Sequence, residues 1–204
     1  MINNKHIINN LAFNNDKKQC LYKMKTIDKS KKGSIDALIK PLLELINSKK
    51  DFYTTSSCSG RIIVVALPQN KRKYNTKWLF VSHEEVAVKD IIKHLEAIKS
   101  VKDTVYLRFE PIILHIAATS VEKAVELINL ASSVGFKRGG IISANKKIIV
   151  ELVGVDTLDV PIAKDKKLMI SEDYLRFIIE EANNKLMRNK ERIDLFYEKI
   201  KSKI

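Results

Sequence analysis

Helical spacing of apolar residues alternates along this chain with short, almost continuously apolar runs. Apolar residues three to four positions apart are typical of amphipathic helices, whereas short runs rich in Val and Ile are typical of buried strands. The predicted helices are Leu11–Met24, Ile35–Ser48 capped by Ser34, Glu85–Ile98, a helix from its Ser120 cap to Ser133, and Ser171 toward Lys199. The predicted strands are Phe52–Ser56, Arg61–Leu67, Lys77–Ser82, Thr104–Phe109, Ile112–Ala118 (separated from the strand before it by Pro111), Ile141–Ala144 and Lys147–Val153.

Strands that adjoin as hairpins, with helices between the groups, favour an α+β fold with a mostly antiparallel sheet. We expect one domain over residues 1–204 that ends in a long helix. Residues 43–64 and 125–150 share the order helix with Glu-Leu-Ile-Asn, basic turn, β-branched strand, which predicts an internal αββ duplication. No Gly-x-Gly-x-x-Gly follows a strand, so a Rossmann cofactor site is not expected.

The segment 54–61 (Thr-Thr-Ser-Ser-Cys-Ser-Gly-Arg) concentrates more reactive and hydrogen-bonding groups than any other segment. It directly precedes the apolar run Ile62–Leu67. Because strand interiors seldom hold so many small polar groups, the segment is expected to be a turn that leads into that strand. Backbone N–H groups, hydroxyls and one arginine in a turn suit an anionic or zwitterionic ligand.

The formal charge of +13 changes the range of partners to expect. Such an excess favours a polyanionic partner, nucleic acid before an acidic membrane, although solubility alone can also account for lysine-rich surfaces. The basic residues expected to contact nucleic acid are Lys29, Lys31, Lys32, Lys71, Arg72, Lys73, Lys137 and Arg138.

Cysteine use and hydropathy exclude several classes of protein. Cys20 and Cys58 do not form a CxxC pair, so neither a disulfide framework nor a zinc site is expected. No apolar run reaches the roughly 18 residues of a membrane span. A protein of the reducing cytoplasm, without a metal and without a membrane partner, is the expectation.

Several side chains have both a structural and a functional interpretation. Cys58 is more readily a small thiol beside a ligand than a nucleophile, and Arg61 either pairs with a carboxylate or, as we favour, contacts an anion. Asp36 either satisfies a helix N-terminus or accepts a proton. His83 and His115 each end a strand, where binding groups are common, and Trp78 either stacks on a base or belongs to the core.

Ten strings along the chain resemble, in order, the wybutosine-synthesis methyltransferase family of archaea and eukaryotes. They are Cys20–Lys23, Asp28–Asp36, Thr54–Arg61, Trp78–His83, Arg108–His115, Gly135–Ile141, Asp159–Pro161, Lys167–Met169, Asn183–Lys185 and Arg192–Tyr197. One departure is Gly139, which stands where the family pattern has a serine.

This resemblance implies an S-adenosylmethionine-dependent tRNA methyltransferase. Its expected substrate is the anticodon arm of phenylalanine tRNA, where it methylates N-4 of the tricyclic base derived from the guanosine 3′ of the anticodon. The expected cofactor-binding residues are Ser57, Cys58, Ser59, Gly60 and Arg61. Asp36, His83 and His115 are the candidates for the catalytic base, with Asp36 first because a carboxylate is ionised at neutral pH. Trp78 joins the basic residues as a nucleic-acid contact.

Two other functions remain open from the sequence. One is a non-catalytic RNA-binding module whose polar segment binds a phosphate. The other is an RNA-modifying enzyme that uses Cys58 as a covalent nucleophile.

Overall fold

The computed structural model describes residues 4–25, 36–68 and 76–204, and side chains in these ranges except those of residues 4–10, 23–25 and 95. Its helices are α1 (Asn4–Lys25), α2 (Lys40–Ser48), α3 (Val88–Ile92), α4 (Leu95–Ser100), α5 (Val121–Ser133) and α6 (Glu172–Lys203). Its strands are β1 (Phe52–Leu67), β2 (Lys77–Ser82), β3 (Thr104–Ala118), β4 (Arg138–Ser143), β5 (Ile148–Val153), β6 (Leu158–Lys164) and β7 (Lys167–Leu168).

The chain divides into two compact units, and β1, β3 and α6 each contribute residues to both. The first unit contains residues up to Ser59, Ile112–Val155 and Glu191–Ile204, and the second contains Gly60–Pro111 and Asp156–Lys190. The predicted α+β class, with an antiparallel sheet and a long C-terminal helix, is confirmed. The single domain, the duplication and the non-Rossmann character stay predictions.

In the first unit, the strand order is β1-β3-β5-β4. One face of these strands is covered by α2, α5 and the end of α6, because apolar side chains recur on one side of each helix. Phe136 packs against Phe196 there, with ring centroids 5.1 Å apart. The predicted cap of α5 is confirmed, since the Ser120 hydroxyl accepts a hydrogen bond from the Lys123 N–H.

In the second unit, the strand order is β2-β1-β3-β6-β7. Its core consists of alternate residues of β1 and β3 packed against α3, α4 and the first half of α6. Asn183 of α6 holds the segment before α3, because its side chain both accepts from the Val86 N–H and donates to the Val86 carbonyl, at 2.9 Å each.

Several predicted boundaries were wrong. The helix expected from Leu11 begins at Asn4, the strand expected over Ile141–Ala144 is Arg138–Ser143, and β6 and β7 were not predicted. The helix expected over Glu85–Ile98 is two short helices, α3 and α4. The helix expected from Ile35 begins at Lys40, and its predicted cap, Ser34, lies outside the described residues. Pro111 does not break β3, because β6 pairs with β3 as far as Phe109 and β5 pairs from Ile113 onward. Pro111 therefore lies between the segments of β3 that pair with β6 and with β5, where neither strand needs a hydrogen bond from its missing N–H.

Candidate functional site

Residues 54–61 lie inside strand β1 and do not form the turn expected from their composition. The expectation failed because the buried hydroxyls have partners within the fold. Thr54 is hydrogen-bonded to Asn47, and the fully buried Ser59 donates its hydroxyl proton to the Asp36 carboxylate. The hydroxyls between them, Thr55–Ser57, are exposed, so the strand presents them outward.

Gly60 has a backbone conformation that only glycine adopts readily. Its φ is +99°, in the region that residues with a Cβ rarely enter. The Gly60 carbonyl accepts a hydrogen bond from His83 Nδ1 at 2.9 Å, which fixes the proton of that imidazole on Nδ1. In the second unit, the glycine therefore positions one of the three candidate bases.

Asp36 lies four residues before α2 and not in its first turn. Its carboxylate accepts hydrogen bonds from the Leu38 N–H at 3.2 Å and from the Ser59 hydroxyl. These contacts join Asp36 to the polar segment of β1 within the first unit, 23 positions apart in sequence. Asp36 thus both satisfies a backbone N–H just before α2 and links that segment to the candidate site, so both interpretations of this residue stay open.

His115 of β3 lies between a serine and a glutamate in the first unit. Its Nδ1 is 2.6 Å from Ser56 Oγ, and its Nε2 is 2.7 Å from Glu151 Oε2. About a quarter of the His115 side chain is exposed. Both ring nitrogens are therefore engaged while the group stays accessible.

Arg61 in the second unit is paired with Glu110. Arg61 Nε and Nη2 lie 2.8 Å and 2.7 Å from the same carboxylate oxygen, and the guanidinium carbon lies 4.6 Å from the centroid of the Trp78 ring. Glu110 thus occupies two of the five N–H donors of the guanidinium. Trp78 is 48 % exposed and belongs to β2, so it is not a core residue.

Ser57 and Cys58 follow Ser56 in the first unit with different exposure. Ser57 is exposed, and Cys58 is a half-buried free thiol, as is Cys20.

Among the residues that the structure describes, no group of three His, Cys, Asp or Glu side chains could hold a metal ion. Nor does any helix in the described ranges have the length and hydropathy of a membrane span.

Lys137 and Arg138, the basic pair expected to contact nucleic acid, are exposed at the start of β4. Lys137 Nζ donates to the Ser132 carbonyl at the end of α5, at 3.0 Å. Gly139, where the resemblance led us to expect a serine, packs closely on β5. A Cβ there would lie 2.9 Å from Leu152 Cδ2 and 3.2 Å from the Glu151 carbonyl oxygen.

The predicted site residues separate into two groups, each described within its own unit. The first unit holds Asp36, Ser57, Cys58, Ser59, His115, Lys137 and Arg138, and the second holds Gly60, Arg61, Trp78 and His83. Lys29, Lys31, Lys32, Lys71, Arg72 and Lys73 lie outside the described residues.

Two acidic partners, Glu110 and Glu151, were missed from the sequence. Glu151 had a usable signal, because it is the single charged residue in the apolar strand Ile148–Val153. A carboxylate inside a strand of that kind needs a partner, and here the partner is His115.

The profile of the family described as "Methyltransferase TYW3" matches residues 15–202. The chain belongs to the TYW3 methyltransferase family. It is 41 % identical over 172 residues to a Pyrococcus horikoshii protein named tRNA(Phe) 7-((3-amino-3-carboxypropyl)-4-demethylwyosine(37)-N(4))-methyltransferase 1, covering 83 % of this chain and 86 % of that one. A zebrafish (Danio rerio) tRNA wybutosine-synthesizing protein 3 homolog is 38 % identical over 191 residues, covering 92 % and 74 %.

A solved structure of a Pyrococcus horikoshii protein superimposes with a TM-score of 0.84 at 37 % identity and covers 94 % of this chain and 97 % of that one. The resemblance drawn from ten sequence strings is therefore confirmed as membership of the TYW3 family. The match from residue 15 to residue 202 includes every described candidate residue of both groups. For the TYW3 chain, the reaction class is methyl transfer.

Proposed function

We propose that this TYW3 chain methylates N-4 of the 4-demethylwyosine-type base 3′ of the anticodon of phenylalanine tRNA, with S-adenosylmethionine as the methyl donor. The observation that carries the proposal is the 41 % identity to a relative whose name states that reaction, over 86 % of its length. The candidate residues between Asp36 and Glu151 all fall within the matched family region.

In the second unit, Arg61 suits the carboxylate at the charged amino-acid end of S-adenosylmethionine. The Arg61 guanidinium retains three N–H donors beyond the two that Glu110 occupies, enough to bind a carboxylate. In the first unit, the exposed Ser57 offers a hydroxyl and the half-buried Cys58 a small polarizable surface. Ser59 and Gly60 are buried, and their hydrogen bonds to Asp36 and His83 suit them to holding this part of β1 in place.

S-adenosylmethionine, when bound, supplies a methyl group on a positively charged sulfur. The role left to the chain is to align the target nitrogen with that methyl group and to receive the proton that the nitrogen loses. Asp36, His83 and His115 each have a hydrogen-bond partner that fixes their orientation, and each is a candidate for the proton acceptor.

The positive charge of the chain supports tRNA as the substrate. The excess of 13 positive charges attracts the phosphate backbone, and Lys137 and Arg138 present two of them at the surface of the first unit. Trp78 is about half exposed in the second unit, with the Arg61 guanidinium 4.6 Å from its ring centroid, and is the aromatic side chain there that we expect to contact a splayed-out base of the anticodon arm.

The direct test is methyl transfer to phenylalanine tRNA isolated from cells that lack this methyltransferase. We expect one labelled methyl group per tRNA on the tricyclic base, read by mass spectrometry of nucleosides. The matched control is an unmodified transcript, which lacks the tricyclic base. Binding of the tRNA without methylation and without heat from S-adenosylmethionine in calorimetry would favour the non-catalytic RNA-binding module. Full methylation by Cys58→Ser would exclude the covalent alternative.

A further inference from the structure

Ser56, His115 and Glu151 form a continuous hydrogen-bonded chain across three neighbouring strands of the first unit. Ser56 Oγ lies 2.6 Å from His115 Nδ1, and His115 Nε2 lies 2.7 Å from Glu151 Oε2. The chain goes from an exposed serine to a half-buried glutamate. Three residues far apart in sequence thus bring a hydroxyl, an imidazole and a carboxylate into line.

The chemistry of the groups sets the direction of the hydrogen bonds. An ionised carboxylate only accepts, so Glu151 holds the imidazole proton on Nε2. The lone pair of Nδ1 then accepts the hydroxyl proton of Ser56. Ser56 Oγ consequently keeps its own lone pairs for a group outside the chain of hydrogen bonds, on the solvent side.

The strand face next to Glu151, at the other end of this hydrogen-bonded chain from Ser56, is open among the described residues. His115 and Glu151 are directly opposed in the pairing of β3 with β5, and Glu151 and Gly140 in the pairing of β5 with β4. Directly opposed residues of an antiparallel pair place their Cβ atoms on the same face. A Cβ at Gly140 would have no atom of the described residues within 4 Å, so nothing in that part of the chain crowds the face beside Glu151.

We propose that Ser56, His115 and Glu151 form the proton relay of the methyltransferase, with His115 as the base. Ser56 contacts the nitrogen to be methylated, and Glu151 is a positioning residue that acts through His115. This proposal rests on the proposed function. It assigns roles to Ser56 and Glu151 and separates His115 from the other two candidate bases.

The proton transfer balances without another reactant. As the nitrogen–methyl bond forms, the carbon–sulfur bond breaks and its electron pair stays on sulfur. The nitrogen loses its proton to Ser56 Oγ, and the Ser56 proton moves to His115 Nδ1. The products are methylated base, neutral thioether and an imidazolium next to the Glu151 carboxylate, which later releases its proton to water.

The test compares Glu151→Gln, Ser56→Ala and His115→Gln in the full chain by steady-state methylation of hypomodified phenylalanine tRNA. Glutamine at 151 can still accept from Nε2 but lacks the charge that stabilises an imidazolium. We expect kcat to fall about 10–100-fold for Glu151→Gln and Ser56→Ala and more than 100-fold for His115→Gln. KM for both substrates should stay within about twofold, because the relay acts after binding.

Glu44→Gln is the matched control, since Glu44 is an exposed glutamate of the same unit paired with Lys40, and it should keep the wild-type kcat. A Glu151→Gln variant with wild-type kcat would overturn the relay while leaving the proposed function intact. A wild-type protein that methylates no tRNA would overturn both. Nitrogen-15 NMR of the imidazole at pH 8 gives a readout independent of activity. It should show His115 with its proton on Nε2, and a proton on Nδ1 would overturn the relay.

Discussion

Asn47 of α2 and Thr54 of β1 are hydrogen-bonded to each other inside the core of the first unit. The Asn47 amide donates to Thr54 Oγ1 at 2.9 Å, and its oxygen accepts from the Thr54 N–H at 2.8 Å. Both residues are buried. The pair fixes the start of the polar segment of β1 relative to the helix before it.

Replacing Asn47 with alanine should therefore destabilise the protein by about 1–3 kcal/mol, because a buried N–H and hydroxyl lose a partner. Urea denaturation followed by circular dichroism measures the change. Ser48→Ala, one position further in the same helix and exposed, should change stability by less than about 0.5 kcal/mol. Equal effects of the two substitutions would contradict the importance of the buried pair.

A second prediction follows from the positive φ of Gly60. Gly60→Ala should cost about 1–3 kcal/mol of folding free energy, because alanine is strained at a φ of +99°. Gly140→Ala is the control, since Gly140 has no positive φ and a Cβ there would meet no atom of the described ranges within 4 Å. Thermal unfolding of both variants measures the difference, and a Gly60→Ala protein as stable as Gly140→Ala would refute the strained geometry.

The phenol of Tyr53 should titrate well above ordinary tyrosines. Burial, with smaller effects of Asp16 and Cys20, raises its pKa to about 12. Because the folded pKa exceeds the unfolded value of 10, the stabilisation from the neutral phenol is complete below pH 10 and is lost as the pH rises through about 12.

Absorbance at 295 nm should show one tyrosine that ionises near pH 12 in the wild type and not in Tyr53→Phe. The stability of Tyr53→Phe should also decrease less between pH 10 and pH 12 than that of the wild type. Asp16→Asn should move the tyrosine titration to lower pH, since a nearby negative charge disfavours phenolate. A wild-type protein with no tyrosine titrating above pH 11 would contradict the burial of this phenol.

Arg61 has a matched counterpart in the same unit. Arg61 pairs with Glu110 beside Trp78, and Arg108 pairs with Asp159 beside Tyr106. Arg61→Lys should weaken S-adenosylmethionine binding about tenfold, because lysine lacks the guanidinium fork that binds a carboxylate. Arg108→Lys should leave calorimetric affinity unchanged. Equal weakening in both variants would point to a general loss of structure.

Lys137 and Arg138 should contribute to tRNA binding in a salt-dependent way. Each alanine substitution should reduce the magnitude of the slope of log K against log salt by about 0.7–0.9, the value for one lost phosphate contact. Filter binding at several salt concentrations measures the slope. Lys99→Ala, whose ammonium is near Glu96, serves as the control and should leave the slope unchanged. A slope unaffected by both basic substitutions would place the tRNA elsewhere.

The fold was predictable from the sequence where periodicity is strong. Residues of α5 and α6 repeat apolar positions over three or more turns, and the Ser120 cap marks one start. The continuity of β1 through residues 57–60 was not predictable, because composition does not reveal that Asp36 binds the buried Ser59 hydroxyl. Likewise, the continuity of β3 through Pro111 depends on which strands pair with it.

The candidate site was predictable in its residue types and less so in its partners. Asp36, His83 and His115 stood out as titratable groups next to predicted strands or helices. Their hydrogen-bond partners come from distant segments, as Glu151 does for His115, 36 positions away. Separation of that size leaves no local pattern in a single sequence.

The alignment of Ser56, His115 and Glu151 across β1, β3 and β5 also links chemistry to folding accuracy. A slip of β5 by one residue would set Val150 or Leu152 opposite His115 and turn Glu151 to the other face. A misfolded molecule with that slip would retain its sheet and most of its secondary structure but lack the hydrogen-bonded chain. The specific activity of a preparation would then measure the fraction of molecules with correctly paired strands. Far-ultraviolet circular dichroism could not distinguish these molecules from the misfolded ones.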